Sequence, residues 1–127
     1  MRQSKKNGKR TMPKSVRKMI LEVQAEVRKN PDLMPDRAAE ILNLLASLTG
    51  NVSQEILERD IDYNKVLLQF LESEGKANRA KIKAEISPEY RAKMEARNTQ
   101  ALAIEIIRSL KHYLRVKQEE YQSGKYQ

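Results

Sequence analysis

An all-α fold is expected for this chain of 127 residues: a helical bundle with a short N-terminal helix pair, a long antiparallel helical hairpin and a disordered basic N-terminal arm. Three observations lead there. Apolar residues recur at spacings of three and four along most of the chain, no segment alternates with the two-residue period of a strand, and Pro13, Pro31, Pro35 and Pro88 fall at the edges of the periodic stretches.

Pro13 suits a first helical turn, and Val16, Met19, Ile20, Val23 and Val27 follow until Asn30 and Pro31 stop the pattern, so the first helix is expected over about 13–29. Pro35 opens a second, with Ala38, Ile41, Leu42, Leu45 and Leu48 as its inward stripe and Thr49 and Gly50 as its C-terminal stop. Asn51 or Ser53 then caps a third helix through Ile56, Leu57, Ile61, Tyr63, Val66, Leu67, Phe70 and Leu71. That helix is apolar on more than one side, which marks it as the expected centre of the core. It continues past Gly75, where a bend or break can fall, to Ile86, and Ala77, Ala80, Ala84, Ile82 and Ile86 leave a narrow seam.

Ser87, Pro88 and Glu89 form the clearest local signal: a hydroxyl to accept an orphan amide, a ring that presets the first turn, and an acid that complements the helix dipole. The last helix runs from Pro88 to Gln122 with Tyr90, Met94, Ala101, Leu102, Ile106, Ile107, Leu110, Tyr113, Leu114 and Tyr121 on its stripe. The short connection folds it back along its predecessor, with the hairpin tip at the turn before Pro88. The expected organisation is therefore an arm over 1–11, a single helical domain over 12–122 and a frayed tail over 123–127.

Leu, Ile, Val and Phe supply 29 of the residues, a thin core for one chain, and a homo-oligomer is expected. Tyr113 and Tyr121 are candidates for the contact between copies. No Cys is present, so disulfides and thiolate metal sites are excluded, and a cytoplasmic, intracellular setting is the simpler expectation. The stretch after the basic arm is interrupted by charges and forms no signal-peptide core. The longest apolar runs fall far short of the roughly 20 residues that cross a bilayer, so no membrane association is expected.

The charge is unevenly placed. Arg2, Lys5, Lys6, Lys9, Arg10, Lys14, Arg17 and Lys18 precede the first acid, Glu22, and equal the net charge of +8, so the remainder is formally neutral. Such a run is too polar to bury and repels itself until a polyanion neutralises it; nucleic acid, DNA before RNA, is the expected partner, with an anionic membrane, a targeting sequence or a solubilising tail as other readings of the arm and a helical protein–protein adaptor as the alternative function. Residues 19–74 carry five basic against eleven acidic residues. Residues 75–97 carry seven basic (Lys76, Arg79, Lys81, Lys83, Arg91, Lys93, Arg97) against three acidic, which makes the hairpin tip a second patch, with Lys76, Arg79 and Arg91 its candidate phosphate contacts. Arg108, Lys111, His112 and Arg115 share a further helix face.

A helix-turn-helix over Asp36 to Phe70 is disfavoured, because Glu55, Glu58, Asp60 and Asp62 would repel phosphates against only Arg59 and Lys65. Of the aromatic residues, Tyr90 and Tyr126 alone are expected to be exposed as stacking platforms. Glu55, Glu58 and Asp62 share a helix face, but a cation site draws on more than one element and a solvated acidic face is the better reading. With one His, no Cys and four isolated Gly, neither a zinc site, a nucleophile relay nor a phosphate-cradling loop can be assembled, so no enzyme activity, metal or cofactor is expected.

The layout of a basic N-terminal segment, short helices and a long antiparallel hairpin ending in a charged helix resembles the small terminase subunits of tailed phages. That resemblance implies a ring-forming, DNA-binding regulator of genome packaging, with the hairpin building the oligomer and the large terminase motor as a further protein partner. The region where such proteins carry a helix-turn-helix is acidic here, so DNA contact would fall to the arm or the hairpin tip.

Overall fold

A computed structural model describes residues 15–125 and contains four helices, with no strand among the described residues: α1 (Val16–Lys29), α2 (Pro35–Glu74), α3 (Ala77–Ala84) and α4 (Pro88–Lys125). Residues 1–14 and 126–127 lie outside the described residues, and with them the arm expected over 1–11, the side chains of Arg2, Lys5, Lys6, Lys9, Arg10 and Lys14, and Tyr126. The all-α expectation holds; several element boundaries differ.

α1 starts later than the 13 anticipated from Pro13, because Ser15 takes the N-cap and its hydroxyl accepts the Lys18 amide at 3.1 Å. It ends at Lys29 as Asn30 and Pro31 foretold, with Arg28 and Lys29 in the last turn, where cations suit the dipole. A short turn, closed by the Leu33 amide on the Asn30 carbonyl at 3.1 Å, leads to Pro35. Arg37 then clamps the pair: its Nε and Nη2 donate to the two carboxylate oxygens of Glu26 at 2.6 and 2.7 Å.

The stop expected at Thr49 and Gly50 does not occur, and α2 is one helix of 40 residues. Leu45, Leu48 and Val52, all buried, carry one packed face straight through the glycine, and the Thr49 hydroxyl donates back to the Ala46 carbonyl within the helix instead of capping it. Packing outweighs the roughly 1 kcal/mol that a glycine costs in a helix interior. The break falls at Gly75. Its φ of 72° is left-handed and its amide closes on the Leu71 carbonyl at 3.1 Å, a helix C-terminus for which glycine is suited. The expected continuation of this helix to Ile86 is thus overturned, and so is the position of the hairpin tip: the chain reverses at Gly75, not at Ser87.

α3 runs back along the end of α2 with Ala80 and Ala84 fully buried, while Ala77, Ile82 and Ile86 are exposed, so of the anticipated seam only Ala80 and Ala84 are buried. Ser87 caps α4 as expected, accepting the Tyr90 amide at 3.2 Å while donating to the Ala84 carbonyl at 2.5 Å. α4 continues to Lys125, and a Cβ added at Gly124 would meet nothing within 4 Å.

α4 lies antiparallel to α2, with Arg97 beside Asp60 near one end and the Tyr113 hydroxyl donating to the Leu33 carbonyl near the other. α1 runs parallel to α4: Arg17 meets Thr99, and ten residues later Val27 and Ser109 line one pocket. The main core forms where all three overlap, from Ile20, Val23, Leu33, Ala38, Ile41, Leu45, Leu48, Val52, Ala103, Ile106 and Leu110. Its centre therefore lies in the first half of α2, not in the segment from Ile56 to Leu71. In that second half Tyr63 alone is buried, and Leu57, Ile61, Leu68 and Leu71 face outward. α1 ends its cover near Val52, and the short α3 shields only one side.

Candidate nucleic-acid interface

The root of the basic arm is fixed on the surface of the bundle. Ser15 caps α1 beside α4, and Arg17 reaches across, with Nη1 donating to the Thr99 hydroxyl at 2.9 Å and Nε lying 3.6 Å from Glu95. Thr99 is buried and in turn donates to the Glu95 carbonyl at 2.8 Å, so Arg17 satisfies a polar group that would otherwise lack a donor. Of the two arm cations among the described residues, Arg17 is engaged within the fold and Lys18 is exposed. Arg91 stands one helical turn before Glu95 and is exposed, so it shares the face of α4 that Arg17 meets. This placement puts Arg17 and Glu95, residues far apart in sequence, side by side.

The tip patch is only partly available. Lys83 pairs with Glu74, Arg97 Nη2 donates to Asp60 Oδ2 at 2.8 Å, and the Lys93 ammonium stands 4.3 Å from the centre of the Tyr63 ring. Lys76, Arg79, Lys81 and Arg91 are exposed and make no ion pair among the described residues. Lys76 and Arg79 occupy the start of α3, just past the reversal at Gly75. On the opposite end, Arg108, Lys111 and Arg115 are exposed along α4, with Arg115 Nη2 3.2 Å from His112 Nδ1.

Tyr90, expected to be exposed, is half-buried: its ring lies 5.5 Å from that of Tyr63 at an interplanar angle of 55°, a tilted aromatic pair at the α2–α4 crossing. Burial pushes the Tyr63 phenol up from its ordinary pKa, with the nearby Glu85 and Tyr90 adding to the shift. Between them, Tyr63, Leu67, Leu71, Ala77, Lys81, Glu85, Tyr90, Lys93 and Met94 line an open apolar cleft of about 520 Å³. Tyr113, a candidate for a contact between copies, packs within its own chain through its bond to Leu33, while Tyr121 is exposed.

On the acidic face, Arg59 lies 3.2 Å from Asp62 and 3.7 Å from Glu58, and no group of three His, Asp or Glu residues converges on a metal-sized space among the described residues. No helix among them is long and apolar enough to cross a membrane. No protein-family model matches the chain, and comparison with curated proteins and with solved structures gives no match either. Charge and geometry are therefore what a functional reading has to stand on.

Proposed function

We propose that this is a non-enzymatic, intracellular, nucleic-acid-associated helical protein that holds the phosphate backbone through its basic arm. The observation that carries the reading is the run of eight basic residues without an acid before Glu22, on a chain whose remainder is formally neutral. Arg2, Lys5, Lys6, Lys9, Arg10, Lys14 and Lys18 make the primary contact, Arg17 anchors the arm to α4, and Arg91 extends the same face. Lys76 and Arg79 form a weaker, separate patch. Readout is backbone-directed and insensitive to base sequence, because the α2 surface that would enter a groove carries Glu55, Glu58 and Asp62. In the packaging role that the resemblance to small terminase subunits implies, the polyanion is phage DNA and the larger partner is the packaging motor.

Binding to a random duplex at two salt concentrations tests this. If the arm covers about five to eight phosphates, log affinity falls against log salt with a slope of about −0.9 per contact, and removal of residues 1–11 flattens that slope while leaving the helical signal unchanged. Arg79→Glu combined with Arg91→Glu produces a smaller loss than the truncation. An intact protein that ignores DNA and RNA at low salt overturns the proposal. A second reading, a helical protein that assembles with copies of itself or with other proteins, is favoured by one specific observation: the outward-facing leucines and isoleucine of α2.

A further inference from the structure

The exposed apolar residues of α2 are not scattered. Leu57, Ile61, Leu68 and Leu71, exposed by 56, 47, 56 and 37%, follow with Asn64 a spacing of four, three, four, three, which is the seam of a coiled coil. The fold uses one flank of this seam: Asp60 receives Arg97, Leu67 lines the cleft and Glu74 receives Lys83. Glu58, Lys65 and Glu72 stand exposed on the other flank, where Lys65 also borders an open cleft with Pro88 and Glu89 of α4. Lys65 makes no ion pair among the described residues, and Glu58 has only Gln54 at 3.4 Å and Arg59 at 3.7 Å as neighbours on its own helix.

We propose that a second copy of the chain docks on this seam, antiparallel, with Leu57 of each copy opposite Leu68 of the other. The free flank selects the register. With Leu57 facing Leu68, Glu58 of each copy meets Lys65 of the other, two reciprocal ion pairs about a two-fold axis. Sliding one copy by a heptad sets Lys65 against Lys65 and Glu58 against Glu72, all repulsive. A parallel pair turns Lys65 toward Asp60, which already receives Arg97 at 2.8 Å. In the selected register the two Asn64 side chains fall in adjacent layers across the axis, where a polar group lowers stability and fixes alignment. The seam spans 15 residues, about 22 Å of helix, so the interface lies at the small end of specific association, below about 1,200 Å², and a dimer in the micromolar range follows.

This inference deepens the self-assembly reading and is independent of phosphate binding. Sedimentation equilibrium from about one to several hundred micromolar should show a monomer–dimer equilibrium, unchanged by removal of residues 1–11, and Leu68→Asp should shift it to monomer with helicity retained. Because the chain has no Cys, Leu57→Cys and Leu68→Cys report orientation directly. Mixed together, the two variants should be joined by a short bis-maleimide, and neither should be joined alone, since like positions lie eleven residues out of register, about 16 Å apart. Glu58→Lys and Lys65→Glu should each weaken the dimer about threefold to tenfold, and the double reversal should restore it. A strict monomer overturns both the seam and self-assembly. An oligomer whose Cys variants cross-link alone, or that withstands Leu68→Asp, overturns this seam and leaves self-assembly standing.

Discussion

α2 passes through two environments, and the contrast between its halves organises the molecule. From Pro35 to Val52 it lies between α1 and α4, and one of its faces is buried almost completely by Ala38, Ile41, Leu45, Leu48 and Val52. From Ser53 to Glu74 it meets α4 on one side and the eight-residue α3 on another, and Tyr63 is the one buried residue. The second half nevertheless carries nine Ile, Leu, Val, Phe and Tyr side chains against six in the first. Burial therefore depends on how many neighbours reach a segment, not on how hydrophobic it is, and the helix with surplus apolar surface is the one left free to bind.

The largest test of this contrast compares charges placed in the two halves. Ile106→Asp buries an unpaired carboxylate in the three-helix core and should destabilise by more than about 4 kcal/mol, whereas Leu67→Asp, at the rim of the open cleft, should cost about 1–2 kcal/mol in urea denaturation. Equal losses would mean that the second half is as well packed as the first.

The two glycines sharpen the comparison next. Gly75→Ala should destabilise by about 1–2 kcal/mol because its φ is 72°, while Gly50→Ala should stabilise by up to about 1 kcal/mol, since a Cβ there meets nothing within 4 Å and α2 is continuous. Thermal unfolding of both variants checks the sign. A loss at Gly50 would restore the two-helix reading of this region.

Ser87→Ala, at the junction of α3 with α4, should cost about 1 kcal/mol by leaving the Tyr90 amide uncapped, measured in the same way. The smallest effect is expected at the opposite end. The hydrogen bond from Arg37 holds the Glu26 carboxyl below its ordinary value of about 4.5, against an opposing contribution from burial and with the Arg37 charge adding to the lowering. The sign is that of a depressed acid: its stabilisation is present above the unfolded value and is lost as pH falls through the lower folded one. Glu26→Gln should remove that acid-side dependence while changing stability at pH 7 only slightly, because both partners are solvated. A pH profile identical to that of the parent would show that the pair contributes nothing.

Where a boundary is written in local chemistry, it was legible in the sequence. Asn30 and Pro31, Pro35, and Ser87 with Pro88 mark helix ends because a missing amide, a fixed φ and a capping hydroxyl act within one turn whatever the surroundings. The separation of a basic arm from a neutral remainder was legible too, since it needs only counting. Glycine was ambiguous for a physical reason: the same residue is a stop where the chain must turn left-handed, as at Gly75, and a tolerated defect where buried neighbours hold the helix together, as at Gly50. Tertiary structure alone decided which. It also decided that Arg17 leaves the basic run to satisfy Thr99, that Tyr90 packs at a tilt against Tyr63, and that Leu57, Ile61, Leu68 and Leu71 face solvent. Periodicity tells which residues share a face of a helix, but a face is buried only if another element reaches it, and that depends on where α1 begins and where α3 turns back.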